Sequence, residues 1–251
     1  MIFDTHSHLF SEEFDNDREE CLKRCDELNI KLMLVGYSHI GYQQAYDLAQ
    51  KNSNYYCSAG IHPDQASPNY LKDIELLEAF LDSHKVNALG EIGLDYHYED
   101  TDKEIQRMVF NRQLEIAEKF NKPVIVHSRD SIGETYNILS KYNLKGSIHC
   151  FSGSLEMAKL FTKLGYKLGV GGIITFKNAK NIKEVVKNVD LSYILLETDS
   201  PYLSPEPYRG NKNDPSNIPV IAESIASIKG VTNIDVARVT TANAEEVFDF
   251  L

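Results

Sequence analysis

The chain has 251 residues, 42% hydrophobic and 25% charged, ordinary proportions for a soluble globular protein with one large α/β barrel or two small domains. A formal net charge of −11 argues against a broad basic surface gripping long nucleic acid through many phosphates, but leaves room for a local cationic pocket supplied by bound divalent metals. No apolar run is long enough to span a membrane and no signal peptide is visible, so a cytoplasmic location is expected.

The chain opens with Ile2-Phe3-Asp4-Thr5-His6-Ser7-His8, which reads as a short buried strand, Ile2–His6, ending in His-x-His. Side chains two apart on a strand point the same way, so His6 and His8 can aim two imidazoles at one point. Further runs rich in Val, Ile and Leu follow at Lys31–Gly36, Tyr56–Ile61, Val86–Ile92, Pro123–His127, Ser147–His149, Lys167–Val170 and Ile194–Asp199. Strands buried on both faces of a parallel sheet read this way. Between them the spacing predicts helices over Asn16–Leu28, Asp73–Ser83, Asp102–Phe120, Ser131–Tyr142, Leu155–Leu164 and Ile182–Val189. Two closing helices are expected at Ile218–Ile228 and Ile234–Phe248. This alternation predicts an α/β fold, a single (β/α)8 TIM-type barrel over residues 1–251, with a doubly wound open sheet as the alternative. Cys21, Cys25, Cys57 and Cys150 show no paired zinc-finger spacing and read as reduced thiols.

Candidate ligands fall at or just beyond the C-terminal ends of the strands, where barrel enzymes build their sites. The first strand brings His6 and His8, the third His62, the fourth Glu91, the fifth His127, the sixth His149 and the eighth Asp199. His39, His84 and His97 need separate assignment. Ligands from the first and last strands favour a closed barrel, in which those strands are neighbours. His/carboxylate clusters hold two divalent ions when one carboxylate bridges them, and Glu91, on a middle strand, is the natural bridge. His6, His8, Glu91 and Asp199 would take one ion; Glu91, His127 and His149 would take the other. Burying so many ionisable groups without a metal would be costly.

These motifs resemble the TatD-related metal-dependent deoxyribonucleases, a branch of the amidohydrolase-like barrels. The matching pieces are Asp4-Thr5-His6-Ser7-His8, Gly60-Ile61-His62-Pro63, Gly90-Glu91-Ile92-Gly93-Leu94-Asp95-Tyr96, Pro123-Val124-Ile125-Val126-His127-Ser128-Arg129, His149-Cys150-Phe151-Ser152-Gly153 and Glu197-Thr198-Asp199-Ser200-Pro201. Arg209-Gly210-Asn211-Lys212-Asn213-Asp214-Pro215 looks like the family's Arg-Gly-x-x-Asn-x-Pro loop. His97 is a small departure, where many relatives show a second Tyr. The resemblance implies a hydrolase with two divalent metals (Mg, Mn or Zn) acting on phosphodiesters. DNA ends are the expected substrate, with RNA a further candidate.

In that expectation the metals activate a water, Glu91 bridges them, and Asp199 also accepts the water's proton. His62 and Arg129 are expected to contact phosphate, Arg being suited to bidentate phosphate binding. Tyr96, His97 and Tyr98 could stack on a splayed base, or simply pack over the barrel mouth. Binding should depend weakly on salt, since few basic residues track a backbone. The rival readings are a metal-dependent amidohydrolase or esterase for a small molecule, and a metal-binding scaffold without catalysis.

Overall fold

The computed structural model describes residues 1–248; residues 249–251 of the expected domain lie outside the described residues. The strands are β1 (Ile2–Ser7), β2 (Ile30–Val35), β3 (Tyr55–Ala59), β4 (Ala88–Asp95), β5 (Val124–Arg129), β6 (Gly146–Ile148), β7 (Lys167–Val170) and β8 (Ile194–Leu196). They form one parallel eight-stranded sheet in chain order. Helices α1 (Arg18–Glu27), α2 (His39–Ala49), α3 (Tyr70–Ser83), α4 (Lys103–Lys119), α5 (Ile132–Leu139), α6 (Leu155–Lys163), α7 (Lys180–Asn188) and α8 (Ile218–Lys229) alternate with the strands, and α9 (Asn233–Val247) follows. The expected (β/α)8 barrel is therefore the fold, and the open sheet is not.

Strand alternation divides the apolar residues into two cores. Leu32 and Leu34 of β2 belong to the large outer core, with Leu77 of α3, Phe110 and Leu114 of α4 and Phe161 of α6. Met33 and Val35 belong to a smaller core with Phe3, Ala88, Ile125 and Leu195, joined by Ala244 and Val247 of α9. Glu245 pairs with Lys31 and Glu246 with Lys167, so α9 lies across the N-terminal end of the strands. The C-terminal end is left for chemistry.

The barrel closes between β1 and β8 largely through polar groups. Ser7 bridges to Ser200 in parallel fashion, Asp199 N–H donates to the His6 carbonyl at 2.9 Å, and His8 N–H donates to the Ser200 carbonyl at 2.8 Å. Side chains add to the seam: Thr5 Oγ1 donates to the Leu196 carbonyl at 2.9 Å, and buried Asp4 accepts from Thr198 N–H at 2.9 Å. Burial pushes the Asp4 carboxyl up to about 8 against the pull of those hydrogen bonds.

Two expectations change. The sequence reading placed no helix between the second and third strands, yet α2 is there. Ser38 caps it by accepting from Gly41 N–H at 3.1 Å, and Tyr42, Ala45, Leu48 and Ala49 form its buried face. Alanine and glycine on that face carry little hydrophobic signal, which hides the helical period. The eighth strand ends at Leu196 rather than Asp199: its pairing with β7 stops at Val170–Leu196, and Asp199 itself takes a φ of +56°, outside strand geometry. No helix among the described residues is long and apolar enough to cross a membrane.

Thr5→Val keeps the side-chain shape but leaves the buried Leu196 carbonyl without this donor. Urea unfolding is expected to show a loss of about 1–2 kcal/mol. A loss within error of zero would mean that this bond does not help hold the seam.

Candidate metal centre

The C-terminal mouth of the barrel gathers side chains from distant strands. Glu91, on β4, is buried and turns one carboxylate oxygen to each of two groups of imidazoles. Its Oε2 lies 3.4 Å from His6 Nε2 and 3.7 Å from His8 Nε2. Its Oε1 lies 3.0 Å from His127 Nδ1, 3.3 Å from His149 Nε2 and 3.7 Å from His62 Nε2. Asp199 Oδ1 completes the first group, at 3.8 Å from His6 Nε2 and 3.7 Å from His8 Nε2.

At His8 a hydrogen bond defines which nitrogen faces inward unprotonated. His8 Nδ1 lies 2.8 Å from the Val35 carbonyl, which can only accept, so Nδ1 carries the proton and a neutral ring presents a bare Nε2. His127 stands between two carboxylates, its Nε2 3.2 Å from Asp95 and its Nδ1 3.0 Å from Glu91, so a cation at Nδ1 would leave the ring proton on Nε2. His6 Nε2 and His8 Nε2 are 3.2 Å apart. The bare Nε2 of His8 faces His6 Nε2 and the Glu91 carboxylate, a convergence of donor atoms that a cation among them would favour. Donors sharing one ion at bond lengths of about 2.0–2.2 Å sit roughly 3.0–3.5 Å apart, close to the spacings here. The donor set thus fits divalent metal ions. Among the described residues, three such groups are within range of a common ion: His6, His8 and Glu91; His6, His149 and Asp199; and His62, Glu91 and His127.

The local electrostatics are strongly polarised. Burial pushes the Asp199 carboxyl up to about 7. At His149, burial disfavours the charged ring, but the carboxylates of Glu197, Glu91 and Asp199 prevail and lift it to about 10. Burial raises Glu91 too, yet the surrounding imidazoles, His62 foremost, hold it well below the usual carboxylate range. Burial keeps the His6 ring well below its ordinary value. Buried carboxylates that depend on imidazoles for compensation make a field suited to a multivalent cation.

The six residues expected to hold metal, His6, His8, Glu91, His127, His149 and Asp199, are all brought together here. His62, expected at the phosphate, stands just as near Glu91, with Nδ1 2.7 Å from Asp64 Oδ1. It lines a cavity of about 240 Å³ over the centre together with His8, Tyr37, Asp64, Glu91 and Tyr202. Arg129 does not join the cluster; it is exposed at the end of β5 with its guanidinium 5.6 Å from the Tyr98 ring centre. Asp130 pairs with His97 rather than with Arg129, at 2.9 Å. Tyr96 is committed to packing, its hydroxyl donating to Glu134 at 2.9 Å. This favours the mouth-packing expectation for Tyr96 over base stacking, whereas Tyr98 remains exposed.

Three residues went unassigned from sequence. Asp95 backs His127, and Tyr37 and Tyr202 wall the cavity. Glu197 is a fourth: fully buried, its Oε1 lies 3.4 Å from His149 Nδ1. Gly169 on β7 makes room for it, since a Cβ there would sit 2.2 Å from Glu197 Oε2. Two carboxylates two residues apart on one strand end, Glu197 and Asp199, were the available signal.

The family model described as TatD related DNase matches residues 3–249. The chain belongs to that family. Similar proteins include an uncharacterized metal-dependent hydrolase, YabD of Bacillus subtilis, 38% identical over 99% of both chains. Another is YcfH of Escherichia coli, also named an uncharacterized metal-dependent hydrolase, 35% identical over 99% of this chain and 96% of that one. The crystal structure of YjjV, a TatD homologue from Escherichia coli, superposes with a TM-score of 0.93 at 29% identity, covering 98% of this chain and 97% of that one.

Gly169→Ala and Glu197→Gln perturb the same carboxylate by different routes. Loss of such a partner typically weakens metal binding roughly 10–100-fold, so both variants are expected to fall in that range by calorimetric metal titration. Unchanged affinity in Glu197→Gln would remove its assignment as the residue that orients His149.

Proposed function

We propose that this metal-dependent hydrolase of the TatD-related family cleaves phosphodiester bonds at the ends of DNA strands, as a two-metal exonuclease. One observation carries the reading: the two oxygens of Glu91 face two separate donor groups, the arrangement of a bridging carboxylate. The family description, TatD related DNase, supports DNA as the substrate class.

Divalent cations held by His6, His8, Glu91 and Asp199, and by Glu91, His127 and His149, would bring a bound water's pKa toward neutrality and offset charge on phosphoryl oxygens. The chain's own groups do the rest. Asp199, its side chain 13% exposed, accepts the attacking water's proton. His62, held by Asp64 at the cavity wall, contacts a phosphoryl oxygen. Arg129, outside the cavity but exposed on the rim, engages a flanking phosphate. The cavity of about 240 Å³ is small, against roughly 300–1,000 Å³ for typical ligand pockets. That size suits a chain end better than a duplex interior. The mouth carries Asp64 as its charged wall beside Glu91, so affinity should come from the centre and not from backbone tracking.

The deciding assay compares chelator-stripped and metal-reconstituted protein on end-labelled single- and double-stranded DNA and RNA, beside a panel of amides. Digestion from a DNA end that depends on added metal is expected. Turnover of amides with intact oligonucleotides would overturn the proposal in favour of an amidohydrolase. Glu91→Ala removes the shared donor. It should weaken binding at both metal positions and lower turnover by more than about 100-fold, beyond what loss of an outer partner costs. Retained metal content and turnover would exclude Glu91 as the bridge.

A further inference from the structure

Asn213 lies in the segment between β8 and α8, fourteen residues beyond Asp199 in the chain, and is completely buried. Its Nδ2 donates to two carbonyls, Thr198 at 2.8 Å and Tyr202 at 2.7 Å. Its Oδ1 accepts from Asp214 N–H at 2.9 Å and from Asn217 Nδ2 at 3.1 Å. Its own N–H donates to the Pro201 carbonyl at 2.9 Å. Carbonyl oxygens only accept, so the amide can point in one orientation alone, and every hydrogen-bonding position of the side chain is used.

The two carbonyls it holds flank one turn. Thr198 precedes Asp199, and Tyr202 N–H donates back to the Asp199 carbonyl at 2.8 Å. Within this turn Asp199 has a φ of +56°, a left-handed conformation uncommon outside glycine, which the hydrogen bonds around it hold in place. From the barrel side the turn is held by the His6 carbonyl through Asp199 N–H. From the other side it is held by Asn213. Asp199 faces His6 and His8, and Tyr202 walls the cavity, so one amide restrains both a metal donor and the mouth.

We infer that Asn213 is a positioning residue: its carboxamide clamps the Asp199–Tyr202 turn and thereby places the Asp199 carboxylate beside His6 and His8 and Tyr202 at the cavity. The inference rests on the reading of Asp199 as a metal donor. Surface straps on the same loop are of a different kind. Lys212 pairs with Asp17 at 2.6 Å and Arg24 pairs with Asp214, in contacts partly open to water, where ion pairs contribute little. Isosteric Asn213→Asp sets an oxygen where Nδ2 now donates, against two acceptors. Asn213→Ser removes the clamp without adding charge.

The test is titration of chelator-stripped full-length protein with Mn²⁺, with free ion read by electron paramagnetic resonance and folding read by thermal melting. Wild type, Asp199→Asn, both Asn213 variants and Lys212→Ala are compared. Asp199→Asn should weaken one of two binding steps. Both Asn213 variants should weaken that same step by about tenfold and leave the other in place, while Lys212→Ala changes neither. A rise in KM for an oligonucleotide in the Asn213 variants would report the displaced Tyr202 wall. Folded Asn213 variants with wild-type titrations would overturn the inference while the donor assignment stands. Equal loss of both steps, or failure of both variants to fold, would reduce Asn213 to a structural residue and overturn it as well. If Asp199→Asn itself leaves both steps intact, the donor assignment fails first, and the inference with it.

Discussion

A buried carboxylate surrounded by imidazoles is the constraint on which the remainder of this structure depends. Glu91 is withdrawn from water, and the chain spends strand ends from most of the barrel to face it: His6 and His8, His62, His127 and His149. An ionised group in such a place needs compensation on every open side. Polar groups stand behind three of the rings, the Val35 carbonyl and Asp95 within hydrogen-bond distance of His8 and His127 and Glu197 3.4 Å from His149, and they restrain how the rings turn. Order at the centre therefore comes from a second layer of polar contacts, each with a defined donor direction.

Closure of the barrel is the second half of the same constraint. Asp199 reaches the first donor group only because β8 ends beside β1. The seam there is built from polar groups: Asp4, Thr5, Ser7, Thr198 and Ser200 are all buried and hydrogen-bonded across it. Apolar packing is non-directional and would tolerate a slip between the two strands. Side-chain hydrogen bonds at given positions do not, and a slip would carry Asp199 away from His6. The opposite end of the barrel shows the contrasting solution, with α9 laid under an apolar inner core and pinned by Glu245 and Glu246.

The mouth is asymmetric. On the side of β2, β3 and β8 stand Tyr37, Asp64 and Tyr202 around a small cavity, whereas Arg129 and Tyr98 lie together on the rim at β5. A substrate entering such a mouth meets rings and acid on one side and a cation on the other. Rim residues can vary separately from those at the centre, which is how one barrel framework supports many reactions.

Much of the fold and most of the donor set were legible from the chain alone, because both leave local marks. Apolar runs bounded by turns mark the strands, and His6, His8, His127 and His149 each sit at or near the end of such a run, whereas Glu91 lies midway along β4. Helix α2 was not legible, since Gly41, Ala45 and Ala49 pack by small size and carry little periodic contrast. Tertiary structure alone decided which nitrogen of each ring faces inward, that Tyr96 is bound to Glu134, that Glu197 stands behind His149, and that Arg129 lies off the cavity. The reason is physical: the pattern of a strand is set by neighbours along the chain, but a hydrogen bond between β1 and β8, or from Asn213 to Thr198, exists only once the ring of strands has closed.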